Sequence, residues 1–496
     1  MNARPDDLLS VLDRLDHPKV LVVGDLILDR YTWGNAERVS QEAPVILLRA
    51  DKREARLGGA ANVCQMLRGL QAEVAVAGVI GADPDGAAVH HLLSDAGVDT
   101  SLVLRDHLRP TTMKERFIGR AAGRHAHQIL RVDHEVRDPL PAELEARLLV
   151  ELTERLHEFD IVLISDYDKG VCTPTLLQAI IKAARQEGIA VVVDPIRGGD
   201  YRRYDGATTM TPNRLEAELA SGVKINEPQD AVEAGRVLCS RHQLEYAVVT
   251  LDADGMMLVR RDGSSQHFPT RPRSVYDITG AGDMVLAAIG IALAGGVSPE
   301  DALRLANVAG GLEVEQMGVV PISREQIRID IIRSSREGTA GKLITLEEAA
   351  RIAEALRAEG KKIVYTNGCF DLLHVGHVTY LEEAAAQGDV LFLGLNSDRS
   401  VRQLKGPTRP IRGQAERAAV LAALTHVDYV LIFDELTPIK QIEAIRPDVL
   451  VKGGDYRDRP NDIPGKAFVE SYGGKLYLTG VVEGVSTTAI LRSVAA

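Results

Sequence analysis

Short apolar runs recur along this chain, each followed by a segment long enough to form a helix. They lie at residues 20–23, 74–79, 161–164, 191–194, 247–250, 363–365, 390–395 and 429–433. Strands that are apolar throughout must bury both surfaces, so the pattern predicts parallel sheets covered by helices on each face. The stretches 31–33 and 45–50 break the rhythm. They are short, separated by a polar turn, and predict a small flap beside the main sheet. Residues 330–342 (DIIRSSREGTAGK) are polar, lack a strong apolar period and hold two glycines. They place a linker at 331–343 between a domain at 1–330 and another at 344–496. Thr345-Leu346-Glu347-Glu348 then reads as an N-cap and an acidic first turn opening the second domain.

Composition narrows the class. A chain of 496 residues exceeds one ordinary core, and 45% apolar with 26% charged residues is globular. The longest apolar stretch, near 284–297, is interrupted by Gly290, Gly295 and Gly296 and falls short of a membrane span. The first residues show no basic start followed by an apolar core, so no signal peptide is expected. Cys64, Cys172, Cys239 and Cys369 are scattered, which fits a reducing cytoplasm and argues against structural zinc. A net charge of −12 argues against a general nucleic-acid binder. Phosphates would instead be held by local cations and backbone amides.

The candidate chemistry begins with Asp277-Ile278-Thr279-Gly280-Ala281-Gly282-Asp283. Small residues at a helix start let backbone N–H groups approach a phosphate, and the helix dipole favours the same charge. A carboxylate placed beside them is suited to take a proton from an attacking hydroxyl. Leu57-Gly58-Gly59-Ala60-Ala61-Asn62 is a double-glycine turn running into a helix, and Asp25 and Asp29 follow the first strand. Thr211-Pro212-Asn213-Arg214-Leu215-Glu216 and Thr250-Leu251-Asp252-Ala253-Asp254-Gly255 end two further strand-like stretches.

On these motifs residues 1–330 resemble the ribokinase family of carbohydrate kinases. The resemblance implies an α/β sandwich with a small β lid. It makes Asp283 the catalytic base and Gly280, Ala281 and Gly282 the anion hole. It assigns Asn213, Arg214, Leu215, Glu216 and Asn307 to ATP and magnesium, and Asp25, Asp29, Gly59 and Asn62 to the sugar. Magnesium is expected with ATP through water and carboxylates, with no direct tight protein ligands; a monovalent cation is left open. The lid implies a homodimer. Lys114, Arg116 and Arg131 suit either a second phosphate on the sugar or an exposed strand face, and both readings stand.

In the second domain Asn367-Gly368-Cys369-Phe370-Asp371-Leu372-Leu373-His374-Val375-Gly376-His377 follows a strand and enters a helix. His374 and His377 lie three apart and share a helix face, and Gly376 keeps that face open. Cys369 reads as a small buried residue at a tight turn. With Leu395-Asn396-Ser397-Asp398 and Val485-Ser486-Thr487-Thr488 downstream, residues 344–496 resemble the HxGH nucleotidyltransferases of the cytidylyltransferase-like, Rossmann-like branch. The resemblance implies catalysis by His374 and His377. It gives nucleotide contacts to Gly368, Phe370, Lys405, Arg417, Ser486, Thr487 and Thr488. ATP against CTP is left open by the motifs.

The two domains in this order, with the segment 451–456 (VKGGDY), resemble the bifunctional heptose enzymes of lipopolysaccharide precursor synthesis. That resemblance implies phosphorylation of D-glycero-β-D-manno-heptose 7-phosphate at C1. It also implies adenylyl transfer from ATP to D-glycero-β-D-manno-heptose 1-phosphate, releasing pyrophosphate.

Overall fold

The strand Lys19–Gly24 explains the first layer arrangement. Val20, Leu21, Val22 and Val23 are all fully buried. Leu21 and Val23 join a core with Leu148 and Leu152 of the helix Ala142–Arg155 and Leu176 and Ile180 of the helix Pro174–Glu187. Successive strand residues point to opposite faces, so Val20 and Val22 face the other layer. There the helix Ala281–Ala294 packs so closely that a Cβ on Gly290 would lie 2.6 Å from Leu163.

A computed structural model describes residues 5–120, 126–271, 273, 275–316, 318–335, 341–358 and 360–480. Contacts divide the chain into two units, with the division between Arg328 and Ile329. In the first unit the strands in chain order are β1 (Lys19–Gly24), β2 (Leu26–Val39), β3 (Ile46–Gly59), β4 (Glu73–Gly81), β5 (Asp99–Asp106), β6 (Thr112–Arg120), β7 (His127–His134), β8 (Ile161–Ser165), β9 (Ala190–Asp194), β10 (Thr209–Met210), β11 (Tyr246–Thr250), β12 (Met256–Arg260) and β13 (Ser265–Phe268). The main sheet has the order β10-β9-β8-β1-β4-β5 and is parallel throughout.

Two departures from the apolar-run pattern stand out. The run at 247–250 lies in β11, which pairs antiparallel with β12 in a three-stranded sheet and meets the main sheet's end through a bridge between Asn213 and Thr250 and a Glu245 N–H to Thr208 carbonyl bond. The expected short flap is larger: β2 and β3 are 14 residues each and form a four-stranded sheet of order β3-β2-β6-β7. Much of β3 is exposed, and after Ile46-Leu47-Leu48 its residues 49–56 (RADKREAR) are mostly polar, which hides its length. A strand with one wet face carries a weaker sequence signal.

In the second unit β14 (Ile363–Gly368), β15 (Val390–Asn396), β16 (Tyr429–Phe433), β17 (Val449–Lys452) and β18 (Lys475–Leu478) form a parallel sheet of order β16-β15-β14-β17-β18. Its core includes Tyr365, Phe392, Tyr429, Ile442 and Leu450. Thr345 caps the helix Leu346–Ala358 as expected: its Oγ accepts from Glu348 N–H, and the Glu348 carboxylate accepts from Thr345 N–H. The segment expected as linker starts inside the helix Arg324–Ser335, where Ile331 and Ile332 are buried. Two isoleucines in a polar stretch suffice for one buried helical turn.

Candidate active sites

In the main sheet of the first unit the chain departs from the β1–β8 pair in opposite directions. From β1 it continues to β4 and β5, and from β8 to β9 and β10. A crevice opens beyond the carboxyl ends of strands at such a reversal. Asp25, just after β1, closes its floor. The Asp25 carboxylate accepts N–H groups from Tyr167 (2.9 Å), Lys169 (3.0 Å) and Val171 (3.1 Å), the loop leaving β8. Burial raises its pKa even so. Expected as a sugar contact, it has both oxygens engaged by this loop.

Asp166 and Cys172 lie near Asp25, with one ligand atom of each within 4.8 Å of the others. Asp166 already accepts from Tyr204 Oη at 2.7 Å and from Asp168 N–H at 2.9 Å, and burial pushes it up to about 6. These hydrogen bonds account for the two carboxylates without a metal.

Asp283 sits in the first turn of the helix Ala281–Ala294, 6% exposed. Asn62 donates to one of its oxygens at 2.6 Å and Tyr167 Oη donates to the other at 2.9 Å. Burial raises its pKa to about 6, against those two hydrogen bonds and the positive charge of Lys114. Gly280, at the helix N-cap, has φ of 96°, and a Cβ there would lie 2.9 Å from the Glu313 carboxylate. Only glycine fits that position. Gly282 faces open space, with no atom within 4 Å of where its Cβ would be. Gly59 has φ of 58° and a Cβ would meet the Asp25 carbonyl at 2.5 Å, so it too must be glycine. Asp29 is ion-paired with Arg116 on the lid.

Asn213 and Glu216 form a capping box at the helix Arg214–Ser221: the Asn213 side chain accepts from Glu216 N–H at 3.0 Å and Glu216 accepts from Asn213 N–H at 2.9 Å. They also line a cavity of about 510 Å³ with Asp194, Thr211, Tyr167 and Gly282. Leu215 lies on an adjoining cavity, and Arg214 pairs with Asp254 at 2.7 Å beside it. Asn307 donates to the Phe268 carbonyl at 2.9 Å. Asp194, at the end of β9, has its pKa raised well above the usual range by burial, with Glu216 and Asp283 adding to it. Two carboxylates facing one cavity suit a divalent cation with oxygen ligands.

Sequence reasoning missed Tyr167, Asp194 and Glu313. Tyr167 lies just past the end of β8 and Asp194 is the last residue of β9, so position alone was a usable signal. Glu313 is 1% exposed, burial pushes its pKa to about 8, and neither oxygen has a hydrogen-bond partner among the described residues.

In the second unit the reversal lies between β14 and β17. The HxGH segment follows β14. His374 is the N-cap of the helix Val375–Ala385, and its ring stacks on that of His377 with centroids 3.9 Å apart. Phe370, in a left-handed conformation with φ of 42°, presents its ring to His377 edge-on at 5.2 Å. Gly368 makes room for that ring, since a Cβ there would lie 2.9 Å from it. Burial, the His374 ring and the Lys405 charge lower His377 to about 4, and burial lowers His374. Both imidazoles are therefore neutral at pH 7. Lys452, at the end of β17, donates to the Asn367 side-chain carbonyl across the reversal. Lys452 lies in the segment 451–456, where no site role is expected for it.

Arg417, expected as a nucleotide contact, is 3% exposed and fully engaged. It donates to the carbonyls of Cys369 (2.5 Å), Asn396 (2.9 Å) and Arg412 (3.0 Å) and to the Asp398 carboxylate (2.8 Å). It ties the β14 loop to the end of β15. Ser486, Thr487 and Thr488 lie outside the described residues.

The pfkB family carbohydrate kinase pattern matches residues 17–326, and the cytidylyltransferase-like pattern matches residues 365–492. The Bifunctional protein HldE of Geobacter metallireducens is 50% identical over 474 residues, covering 96% of this chain and 95% of its own. That of Methylobacillus flagellatus is 43% identical, covering 98% and 99%. The chain belongs to the bifunctional HldE family. Solved structures show the kinase fold of its first unit. An Arabidopsis thaliana ribokinase complexed with ribose and ATP matches with TM-score 0.51 at 20% identity, covering 64% of this chain and 99% of its own. Phosphofructokinase-2 from Escherichia coli matches with TM-score 0.53 at 19% identity, covering 64% and 100%.

Two outcomes are expected. If Asp283 is the base it must be ionised, so kcat of the kinase half at saturating substrates is expected to fall about tenfold per pH unit below an apparent pKa near 6. A limb near pH 4 instead would overturn the argument from burial. Arg417→Met strands buried carbonyls and the Asp398 carboxylate, lowering the stability of the second unit by roughly 3 kcal/mol, read by thermal unfolding. Kinase activity should persist in that variant.

Proposed function

We infer that the chain carries out the two phosphorus-transfer steps of ADP-heptose synthesis. The first unit phosphorylates D-glycero-β-D-manno-heptose 7-phosphate at C1 with ATP, giving the 1,7-bisphosphate. The second transfers the adenylyl group of ATP to D-glycero-β-D-manno-heptose 1-phosphate, giving ADP-heptose and pyrophosphate. The observation that carries this reading is similarity to HldE proteins along nearly the whole chain, with Asp283 and the His374–His377 pair each at a sheet reversal.

In the kinase half Asp283 takes the proton of the C1 hydroxyl as that oxygen bonds to the γ-phosphorus, and the bond to the ADP oxygen breaks. Asn62 and Tyr167 hold the carboxylate, one on each oxygen, so its direction is set before the sugar arrives. The backbone of Gly280, Ala281 and Gly282 takes up charge on the transferring group, with the open space before Gly282 giving it room. Asn213, Glu216 and Asn307 belong to the nucleotide side, and Asp29 and Asn62 to the sugar side. Asp194 and Glu216 would hold magnesium carried with ATP, which neutralises charge on the β- and γ-phosphates.

In the transferase half a phosphate oxygen of the sugar attacks the α-phosphorus and pyrophosphate leaves. Neutral imidazoles at His374 and His377 donate N–H hydrogen bonds to the charge that develops there. Lys405 adds a positive charge beside them. Arg417 acts on the loop rather than on the nucleotide.

The protein works in the cytoplasm as a homodimer through the lid. Among the described residues no helix is long and apolar enough to cross a membrane. Val39, Val45, Ile46 and Leu130 of the lid region are more than half exposed, an apolar surface suited to a second copy. Ile46→Glu should convert a dimer to a monomer in sedimentation velocity; an unchanged species would remove the lid from the interface.

Phosphorus NMR tests the chemistry directly. With ATP, magnesium and the heptose 7-phosphate a new anomeric phosphate signal should appear with ADP. Asp283→Asn should lower that rate by about 10²–10⁴ and spare adenylyl transfer. His377→Ala should do the reverse, and joint loss in either variant would contradict independent sites.

A further inference from the structure

The turn that enters the helix Ala281–Ala294 rests on the end of the helix Pro299–Glu313. Tyr276 N–H and Asp277 N–H both donate to the Val314 carbonyl, at 2.8 and 3.3 Å. The Asp277 carboxylate in turn accepts from Thr279 N–H at 2.9 Å, which shapes the turn. Gly280 closes it. Where a side chain would leave Gly280, the space is taken by Glu313 Oε1 at 2.9 Å and Val319 at 3.2 Å. The Glu313 carboxyl therefore lies against the backbone assigned to the transferring phosphoryl group.

Among the described residues nothing neutralises this carboxyl. Glu313 is 1% exposed, and no hydrogen bond reaches either of its oxygens. The charged groups that act on it are Asp277 on the turn and Asp283 on the helix, and both are acidic. The cations beside neighbouring residues are engaged elsewhere. Arg273, packed against Gly311, pairs with Glu315 at 3.1 Å, and Arg56, packed against Gly318, pairs with Glu54 at 3.3 Å. A carboxylate buried without a partner is costly, and like charges nearby raise the cost. The group is therefore held as the neutral acid at pH 7, and burial pushes its pKa to about 8.

We propose that Glu313 is a positioning residue that serves the kinase step as an uncharged acid, keeping the wall of the anion hole free of negative charge. This rests on the reading of Gly280, Ala281 and Gly282 as the seat of the transferring group. Such a seat works because fixed backbone dipoles turn their positive ends toward the charge that develops. A carboxylate against Gly280 would oppose those dipoles at short range, where little water screens it. The acid form fills the same volume without that field. Ionisation of Glu313 then switches phosphoryl transfer off without touching the sugar or the base. Two buried carboxyls thus bound the working range of the kinase half. Asp283 sets the acid side because it must be charged, and Glu313 sets the alkaline side because it must not be.

The test is the pH dependence of kinase kcat/KM for ATP in the full chain, with the heptose 7-phosphate saturating. In the wild type the value at about pH 9 should lie about tenfold below that at about pH 7. In Glu313→Gln, which keeps the shape and cannot ionise, the two values should agree within about twofold. Adenylyl transfer by the same samples should follow one pH profile in both proteins. Retained adenylyl transfer and unchanged circular dichroism show that a variant is folded, and Glu313→Leu serves if the glutamine variant is not. A wild-type profile that stays flat on the alkaline side would overturn the proposal. So would an alkaline fall that persists in a folded variant, the mark of a merely structural role or of another titrating group. Absence of kinase activity in the wild type at every pH would instead remove the kinase reading, and the proposal with it.

Discussion

Both units obey one constraint: a parallel strand buried on both faces forces its chain to return through a helix, so chemistry is confined to the strand ends. Val20–Val23 and residues 363–365 are fully buried and have no side chain to offer a ligand. What they offer is direction. Where successive connections leave two neighbouring strands on opposite sides, the loops part and a crevice remains. Asp25 and Tyr167 flank that point in the first sheet, and Asn367 and Lys452 flank it in the second. The hydrogen bonds between these pairs hold the two lips of each crevice at a fixed width.

Burial then sets the protonation states, with opposite signs for opposite charge types. Desolvation penalises the charged form of any group. It lifts Asp283 to about 6, where a carboxylate is a stronger base yet still ionised at neutral pH. It lowers His377 to about 4, where an imidazole stays neutral and keeps an N–H to donate. One physical cause therefore leaves a more basic carboxylate in one unit and an uncharged imidazole in the other. Asp283 needs its two hydrogen bonds for the same reason, since burial alone would push it higher.

The sequence was legible where a structural demand is periodic or conformationally strict. Each apolar run lies in a strand, and Gly59 and Gly280 occupy backbone positions that exclude other residues. The lid was legible only in part because β3 leaves an apolar run only at its start, and its mostly polar middle, residues 49–56, is largely exposed. Tyr167 and Asp194 stand at or just past strand ends, but what they face is set by strand neighbours distant in the chain, which their local sequence does not show. Arg417 shows the converse. A basic residue near a phosphate motif reads as a ligand contact, yet its donors go to three carbonyls and Asp398. Burial, which the sequence does not display, separates the two roles.

The charge pattern bears on how an acidic chain handles anionic substrates. A net charge of −12 repels phosphates at long range, but screening confines that repulsion to about 8 Å at physiological salt. Recognition is then decided by the few charges inside each crevice. In the kinase crevice most cations are neutralised by neighbouring carboxylates, which hold the lid together without attracting anions in general. The kinase step adds a phosphate to a sugar that already carries one. The product of that step carries phosphate at both ends, whereas the adenylyl acceptor carries it at one. A phosphomonoester hydrolysis must therefore lie between the two reactions, and each crevice can be tuned to a differently charged sugar.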